Sequence, residues 1–155
     1  MRLSRSCEYA LLAVWHLAKR KDSSYVSIRE IADENGLSFF FLTKVLHTLT
    51  QRGILASLKG PKGGIALARP AEEIKIIDIV EVIDGLGFLE QCITGLPKCD
   101  EKNPCPLHND WKRIREELYT MMAGKSVAQL VDFPREPFTS SPRPRRPRES
   151  KRVLR

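Results

Sequence analysis

The run Ser38-Phe39-Phe40-Phe41-Leu42-Thr43-Lys44-Val45-Leu46-His47-Thr48-Leu49-Thr50-Gln51-Arg52-Gly53, with the segment Lys59-Gly60-Pro61-Lys62-Gly63-Gly64 just after it, decides the fold of this 155-residue chain. Leu42, Val45, Leu46 and Leu49 recur at helical spacing and define one buried face. Ser38 stands as the N-cap, with Leu37 before it placed to staple onto Leu42, and Arg52-Gly53 closes the helix. Ile54 to Lys59 and Ile65 to Arg69 then read as two strands around the glycine-rich turn, forming a hairpin or wing.

Working outward, Ser27-Ile28-Arg29-Glu30 has the capping-box pattern, and Ile28, Ile31 and Ala32 give a short amphipathic helix that stops at Asn35-Gly36. Two short helices separated by a few residues and a glycine make a helix-turn-helix. Upstream, Ala10, Ala13, Val14 and Leu17, with Leu11 and Trp15 as a second stripe, predict a helix over Cys7 to Arg20 buried on two sides. Downstream, Ile76, Ile79, Val80 and Ile83 return to helical spacing before Gly85, a buried strand being the alternative. Gly85 to Asn109 reads as a loop. Trp111, Ile114, Leu118, Met121 and Met122 mark one apolar stripe on a long helix starting near Leu107, with so little chain left to cover it that a partner subunit is implied. Beyond Phe133, proline and arginine dominate and a disordered tail is expected. The expected fold is mainly α with a small β-hairpin: a winged helix-turn-helix over 1–84, a cysteine-bearing loop and dimerisation helix over 85–133, and a basic tail over 134–155.

The formal charge is +7, but from Pro134 to Arg155 there are eight Lys or Arg against two Glu, so the body is close to neutral. Overall basicity therefore does not argue for nucleic acid. The local pattern does. Between Leu37 and Ala71 there is no acidic residue, while Lys44, Arg52, Lys59, Lys62 and Arg69 supply positive charge of one sign across helix and wing, as a phosphate-binding surface requires. With the leucines inward, helical geometry turns Phe39, Phe40, Thr43, Lys44 and His47 outward or to the flank. Lys59 and Lys62 bracket the wing tip, where Gly63 and Gly64 let backbone approach a duplex, and the helix start at Ser38 offers N–H groups to a phosphate. Double-stranded DNA is the expected partner. No stretch approaches a membrane span and no signal-peptide core is present, so a cytoplasmic protein is expected. The absence of a catalytic triad, phosphate loop or metalloprotease motif argues against an enzyme and against a small-molecule substrate.

Of the cysteines, Cys7 reads as a small buried hydrophobe. The other three lie within 14 residues as Cys92-x6-Cys99-x5-Cys105-x2-His108. In a reducing compartment such a group points to metal or redox chemistry rather than to a disulfide framework. Structural zinc sites commonly use pairs with two intervening residues, a spacing found only between Cys105 and His108; the wide, uneven gaps suit an iron-sulfur cluster somewhat better than zinc. Free thiols acting as a switch are the third reading.

Met1-Arg2-Leu3, Ile28-x-x-Ile31-Ala32, Leu42-x-x-Val45-Leu46-x-x-Leu49, and above all Lys59-Gly60-Pro61-Lys62-Gly63-Gly64 followed by Leu67-Ala68-Arg69-Pro70 resemble the IscR/NsrR-type family of bacterial winged-helix regulators, over about residues 1 to 132. The resemblance implies a homodimer that binds inverted or imperfect DNA repeats through the second helix and wing, with Ser38, Phe40, Thr43, Lys44 and Lys59 at contacting positions. Phe40 and Lys44 depart from the small or amide residues of the IscR branch, so its operator sequence is not carried over. The resemblance also implies an iron-sulfur cluster on the three loop cysteines. In the IscR-like branch a histidine, here His108, completes a 2Fe-2S site; in the NsrR-like branch a carboxylate of the other subunit near the start of the first helix, here Glu8, completes a 4Fe-4S site. The chain carries both, and the 2Fe-2S form with His108 is favoured. The implied function is a transcriptional repressor whose DNA affinity reports iron-sulfur supply, redox state or nitric oxide.

Overall fold

The structure, a computed structural model, describes residues 3–20, 22, 24–96 and 99–132; the expected tail over 134–155 lies outside the described residues. Helix α1 (Arg5–Lys19) opens at Ser4, whose hydroxyl accepts from the Cys7 N–H at 3.1 Å and donates to the carboxylate of Asp84. Burial is two-sided, as the sequence reads: Cys7, Ala10, Ala13, Val14 and Leu17 are buried on one flank and Trp15 on the other, but there Leu12 is the fully buried partner of Trp15 and Leu11 is half-buried.

The helix-turn-helix comprises α2 (Ile28–Glu34) and α3 (Phe39–Gln51). At α2 only half of the expected capping box forms. The Ser27 hydroxyl accepts from the Glu30 N–H at 3.1 Å, but the Glu30 carboxylate takes the Arg20 guanidinium at 2.6 Å, a charge-assisted bond stronger than one to a neutral backbone N–H. Gly36 takes a left-handed φ of 62° and turns the chain into α3. Leu42, Val45, Leu46 and Leu49 are the buried residues of α3, as the spacing predicts. Ser38 occupies the N-cap, but its hydroxyl makes no capping bond, and Leu37 packs against the main core that contains Leu42.

The wing is an antiparallel pair, β1 (Leu55–Leu58) and β2 (Gly64–Leu67), with Leu55 opposite Leu67 and Leu58 opposite Gly64. Both strands are shorter than the apolar runs suggested and β2 begins one residue earlier, while just beyond the ladder the Ala68 N–H still donates to Ile54 O at 3.0 Å. Val26 adds a further rung: its N–H donates to Ile65 O at 2.9 Å and its carbonyl accepts from the Ile65 N–H at 2.8 Å. This packs the wing so closely on the segment before α2 that a Cβ at Gly64 would stand 2.3 Å from the Val26 carbonyl oxygen, and one at Gly63 would stand 2.1 Å from the Leu58 carbonyl oxygen.

The apolar run after the wing is helix α4 (Ile76–Asp84), not the alternative strand; it ends at Gly85 with φ 70° and leads into a 3-10 turn at Gly87–Leu89. Helix α5 (His108–Gly124) follows the cysteine loop, and α6 (Val127–Val131), which the sequence reading did not anticipate, closes the described chain. Helix α6 returns to the first core. Val127 is fully buried, its N–H donates to Ile74 O at 2.8 Å, and Ala128 N–H donates to Ala71 O at 3.2 Å. Ser126-x-x-Gln129 was the available signal, since the Ser126 N–H donates to Gln129 Oε1 at 3.0 Å. The apolar stripe of α5 is divided: Leu118 and Met122 pack with Cys7, Ile77 and Val80 in a second core, while Ile114 and Met121 remain exposed.

One polar pair sits inside the first core. Asn35 Nδ2 donates to Ile31 O at 2.8 Å and to His16 Nδ1 at 3.1 Å, which fixes the neutral imidazole as acceptor on that side. Burial lowers the His16 pKa from its ordinary 6.5, partly opposed by Glu34.

Two expectations follow. Gly64→Ala forces backbone against backbone and should cost at least about 2 kcal/mol in urea denaturation, whereas Gly87→Ala, whose Cβ meets nothing within 4 Å, should stay within about 0.5 kcal/mol. For His16 the unfolded chain takes up a proton near pH 6.5 and the folded chain resists until lower pH, so its contribution is intact above 6.5 and is lost as pH falls below it. The urea midpoint should therefore drop between pH 7.5 and 5.5, and His16→Gln should flatten that drop.

Candidate functional site

Two groups of residues stand out, one on α3 and the wing and one on the loop before α5. On α3, Phe40 is 79% exposed, and Ser38, Lys44 and His47 are exposed beside it. Thr43 is half-buried and its hydroxyl donates to Phe39 O at 2.8 Å. Lys59 and Lys62 are exposed on the wing turn. The structure thus leaves Ser38, Phe40, Lys44, Lys59 and Lys62 open to solvent. Gly63 and Gly64 are different: both are half-buried, and their closest neighbours are the protein's own backbone, which accounts for the absence of a side chain there without a duplex.

The field around this surface is modified by residues outside the acid-free stretch. Arg69 lies 3.8 Å from Asp78 of α4, so its charge is partly spent inside the fold. Arg29 of α2 stacks its guanidinium 4.4 Å from the Phe39 ring and adds a cation beside α3. Arg5 of α1 donates to Tyr9 Oη at 3.4 Å, and the Ser38 N–H lies 3.5 Å from the same oxygen, which brings a second cation to the start of α3. The i, i+4 spacing of Arg5 and Tyr9 was the only sequence signal for that placement.

On the loop, the expected ligands fall into two pairs. Cys92 Sγ lies 4.0 Å from Cys105 Sγ, and Cys99 Sγ lies 3.5 Å from His108 Nδ1. Among the described residues no three His, Cys, Asp or Glu side chains converge on a point that one ion would occupy. His108 is the first residue of α5 and is held there by its N–H, which donates to Cys105 O at 2.9 Å. Its ring is buried and its Nε2 has no hydrogen-bond partner, an orphan that a metal group would satisfy. Arg115, two turns along α5, donates to Cys99 Sγ at 3.5 Å and to Leu89 O at 2.7 Å, tying the loop to the 3-10 turn. Trp111 Nε1 donates to Gln91 O at 2.8 Å and fastens the other side. Cys92 Sγ and Thr94 Oγ1 share a hydrogen bond at 3.1 Å; chiefly for that reason the Cys92 pKa falls to about 7, whereas Cys7, buried between α1 and α4, is pushed up to about 12. Cys7 packs as an apolar residue, as the sequence reading had it. Glu8 is half-buried in the first turn of α1, next to Cys7.

A capped helix-turn-helix, a basic wing bonded to it and a separate cysteine-bearing helix start define a winged-helix transcriptional regulator. The sequence profile described as "Rrf2: Iron-dependent Transcriptional regulator" matches residues 3–133, and the chain belongs to that family. A candidate HTH-type transcriptional regulator of Aquifex aeolicus is 34% identical over 135 residues, covering 86% of this chain and 93% of its own. The HTH-type transcriptional regulator IscR of Yersinia pestis is 26% identical, covering 85% and 80% respectively. Among solved structures, CymR, the global cysteine regulator of B. subtilis, superposes with a TM-score of 0.74 at 24% identity, over 87% of this chain and 99% of its own, a likeness of fold. The protein is a transcriptional regulator and not an enzyme, and among the described residues no helix is long and apolar enough to cross a membrane.

Because Lys59 and Lys62 are exposed on the turn, replacing both with alanine should leave thermal unfolding unchanged. The slope of log affinity for duplex DNA against log salt should become shallower by about 2, one phosphate per lysine. An unchanged slope would remove the wing tip from the DNA interface.

Proposed function

We propose that the protein is a homodimeric repressor whose grip on an inverted-repeat operator is set by an iron-sulfur cluster held by Cys92, Cys99, Cys105 and His108. The observation that carries this reading is the division of the four donors into two pairs, Cys92 with Cys105 and Cys99 with His108. A 2Fe-2S rhomb asks for two protein ligands on each of two irons, whereas a structural zinc ion asks for four donors around one point. The buried His108 ring, whose Nδ1 faces the Cys99 sulfur and whose Nε2 has no hydrogen-bond partner, is a nitrogen donor within the set, and the pairing therefore favours the 2Fe-2S form completed by His108 over the 4Fe-4S form completed by a partner's carboxylate. When bound, the cluster supplies a centre that gains or loses an electron and is destroyed by oxidants or nitric oxide.

The chain's own residues do the rest. Arg115 holds Cys99 and fixes its distance from the 3-10 turn, and the Cys105 carbonyl fixes the start of α5. The exposed Ile114 and Met121, two turns apart on one flank of α5, give it an apolar strip for the second subunit, so the helix that begins at the cluster also sets the spacing of the two recognition helices. Ser38, Phe40, Thr43 and Lys44 read the major groove, Phe40 against a thymine methyl, and Lys59, Lys62 and the Gly63-Gly64 backbone follow the phosphates. Such a protein acts in the cytoplasm.

Anaerobically purified protein should be coloured and contain iron and sulfide in equal amounts, about two of each per chain. His108→Ala should abolish or shift that spectrum, and Glu8→Ala should leave it intact. The reverse pattern assigns the fourth ligand to Glu8, and a colourless zinc protein removes the cluster. Operator affinity should differ between cluster-loaded and cluster-free dimers by at least about fivefold, the low end of allosteric coupling, and equal affinities would sink the switch.

A further inference from the structure

The three loop cysteines are not equivalent, and the difference bears on the protein without any metal group. Cys92 and Cys105 face each other with their sulfurs 4.0 Å apart. Cys99 is engaged elsewhere: His108 Nδ1 and Arg115 Nη2 each lie 3.5 Å from its sulfur, and the same guanidinium is anchored on Leu89 O at 2.7 Å. A disulfide requires sulfurs about 2.0 Å apart. Cys92 and Cys105 reach that by closing about 2 Å, a movement of the size that side-chain rotation delivers, whereas Cys99 must first leave two α5 partners. Cys7 is fully buried in the second core, away from the loop set.

We propose that in the cluster-free protein Cys92 and Cys105 are an oxidisable pair that forms a reversible intramolecular disulfide on exposure to a hydroperoxide, leaving Cys99 reduced. Cys105, the more exposed of the two, meets the oxidant first. Its thiolate sulfur attacks the peroxide, the O–O bond breaks, a sulfenic acid forms and one water leaves. The Cys92 sulfur then attacks that sulfenic sulfur, the S–O bond breaks, and the departing hydroxide takes up the second thiol proton as water. Two thiols give two electrons to one hydroperoxide. The bond removes one ligand pair while leaving Cys99 and His108 in place, so a metal group is re-admitted only after a thiol reductant has opened it. The inference stands on the sulfur geometry and does not depend on which cluster the loop carries.

The test uses the full-length chain, reduced and stripped of metal by a chelator, then treated with one equivalent of hydrogen peroxide and blocked with N-ethylmaleimide in denaturant. Trypsin cleaves after Lys75, Lys98, Lys102 and Lys112, placing Cys92, Cys99 and Cys105 on separate peptides. The expected product is peptide 76–98 joined to peptide 103–112, exceeding any Cys99-containing link by at least about tenfold, with Cys7 and Cys99 alkylated and both halves released by dithiothreitol. Cys99→Ser should form the link at the unaltered rate, and Cys105→Ser should lose it. Links through Cys99 at comparable yield, links joining isotopically distinct chains, or unlinked sulfinic acid at Cys105 would each overturn the proposal.

Discussion

The enclosure of α1 on every side is the constraint from which the other elements take their places. The helix packs against α3, α4, α6 and β2, and nine of its fifteen residues are buried. A helix apolar around most of its circumference has no face to offer water, so the chain must wrap it. Ala10 and Ala13, both fully buried, keep that wrapping close, and Leu11 borders both cores at once. The first core belongs to the helix-turn-helix and wing, and the second joins Cys7 to α4 and α5. The two halves therefore share one rigid support, whose N-terminal turn is bonded to Asp84 at the end of α4 and whose Tyr9 meets the start of α3.

Charge acts locally in this protein. The surplus of basic residues is concentrated after Pro134, and the folded body is near neutral. What distinguishes the α3 and wing surface is that acids are excluded from the stretch that forms it, while cations are imported from neighbouring elements through stacking on Phe39 and bonding to Tyr9. A field built this way points in one direction. Such a local field orients a duplex on the surface, which a diffuse excess of charge does not do.

The helices, the wing and the cysteine loop were legible in the sequence because each depends on periodicity or on glycine within a short window. Leu42, Val45, Leu46 and Leu49 specify the inner face of α3 without help from the rest of the chain. What escaped was long-range. Helix α6 is five residues long and is held by backbone bonds to Ala71 and Ile74, more than fifty residues earlier. The split stripe of α5 depends on which turns α4 covers. Gly63 and Gly64 illustrate the same limit: glycine in a sequence reports that something approaches closely, and only the fold shows that the protein's own Leu58 and Val26 backbone does so. Residue type, spacing and the family resemblance single out the DNA-contact and ligand candidates; the structure adds the exposure of Ser38, Phe40, Lys44, Lys59 and Lys62 and the pairing of Cys92 with Cys105 and of Cys99 with His108.

That pairing has a mechanical consequence in the proposed mechanism. His108 begins α5 and Arg115 lies two turns further along the same helix, so one rigid element carries a ligand and also the donor that grips another ligand, Cys99. Arg115 is bonded to Leu89 as well, and Leu89 follows α4, whose Ile77 and Val80 pack on Cys7 of α1. Any group that spans the two ligand pairs must hold Cys92 and Cys105 at a set distance from the start of α5. Removing it, or drawing Cys92 and Cys105 together, changes the tension on that helix start and leaves the Arg115 anchor fixed. In the proposed dimer the exposed Ile114 and Met121 of α5 would meet the second subunit, so a displacement too small to disturb either core would be enough to alter the angle between two copies of α3. In this proposal the cysteine loop would act on DNA by where it holds the start of α5, without touching the α3 and wing surface.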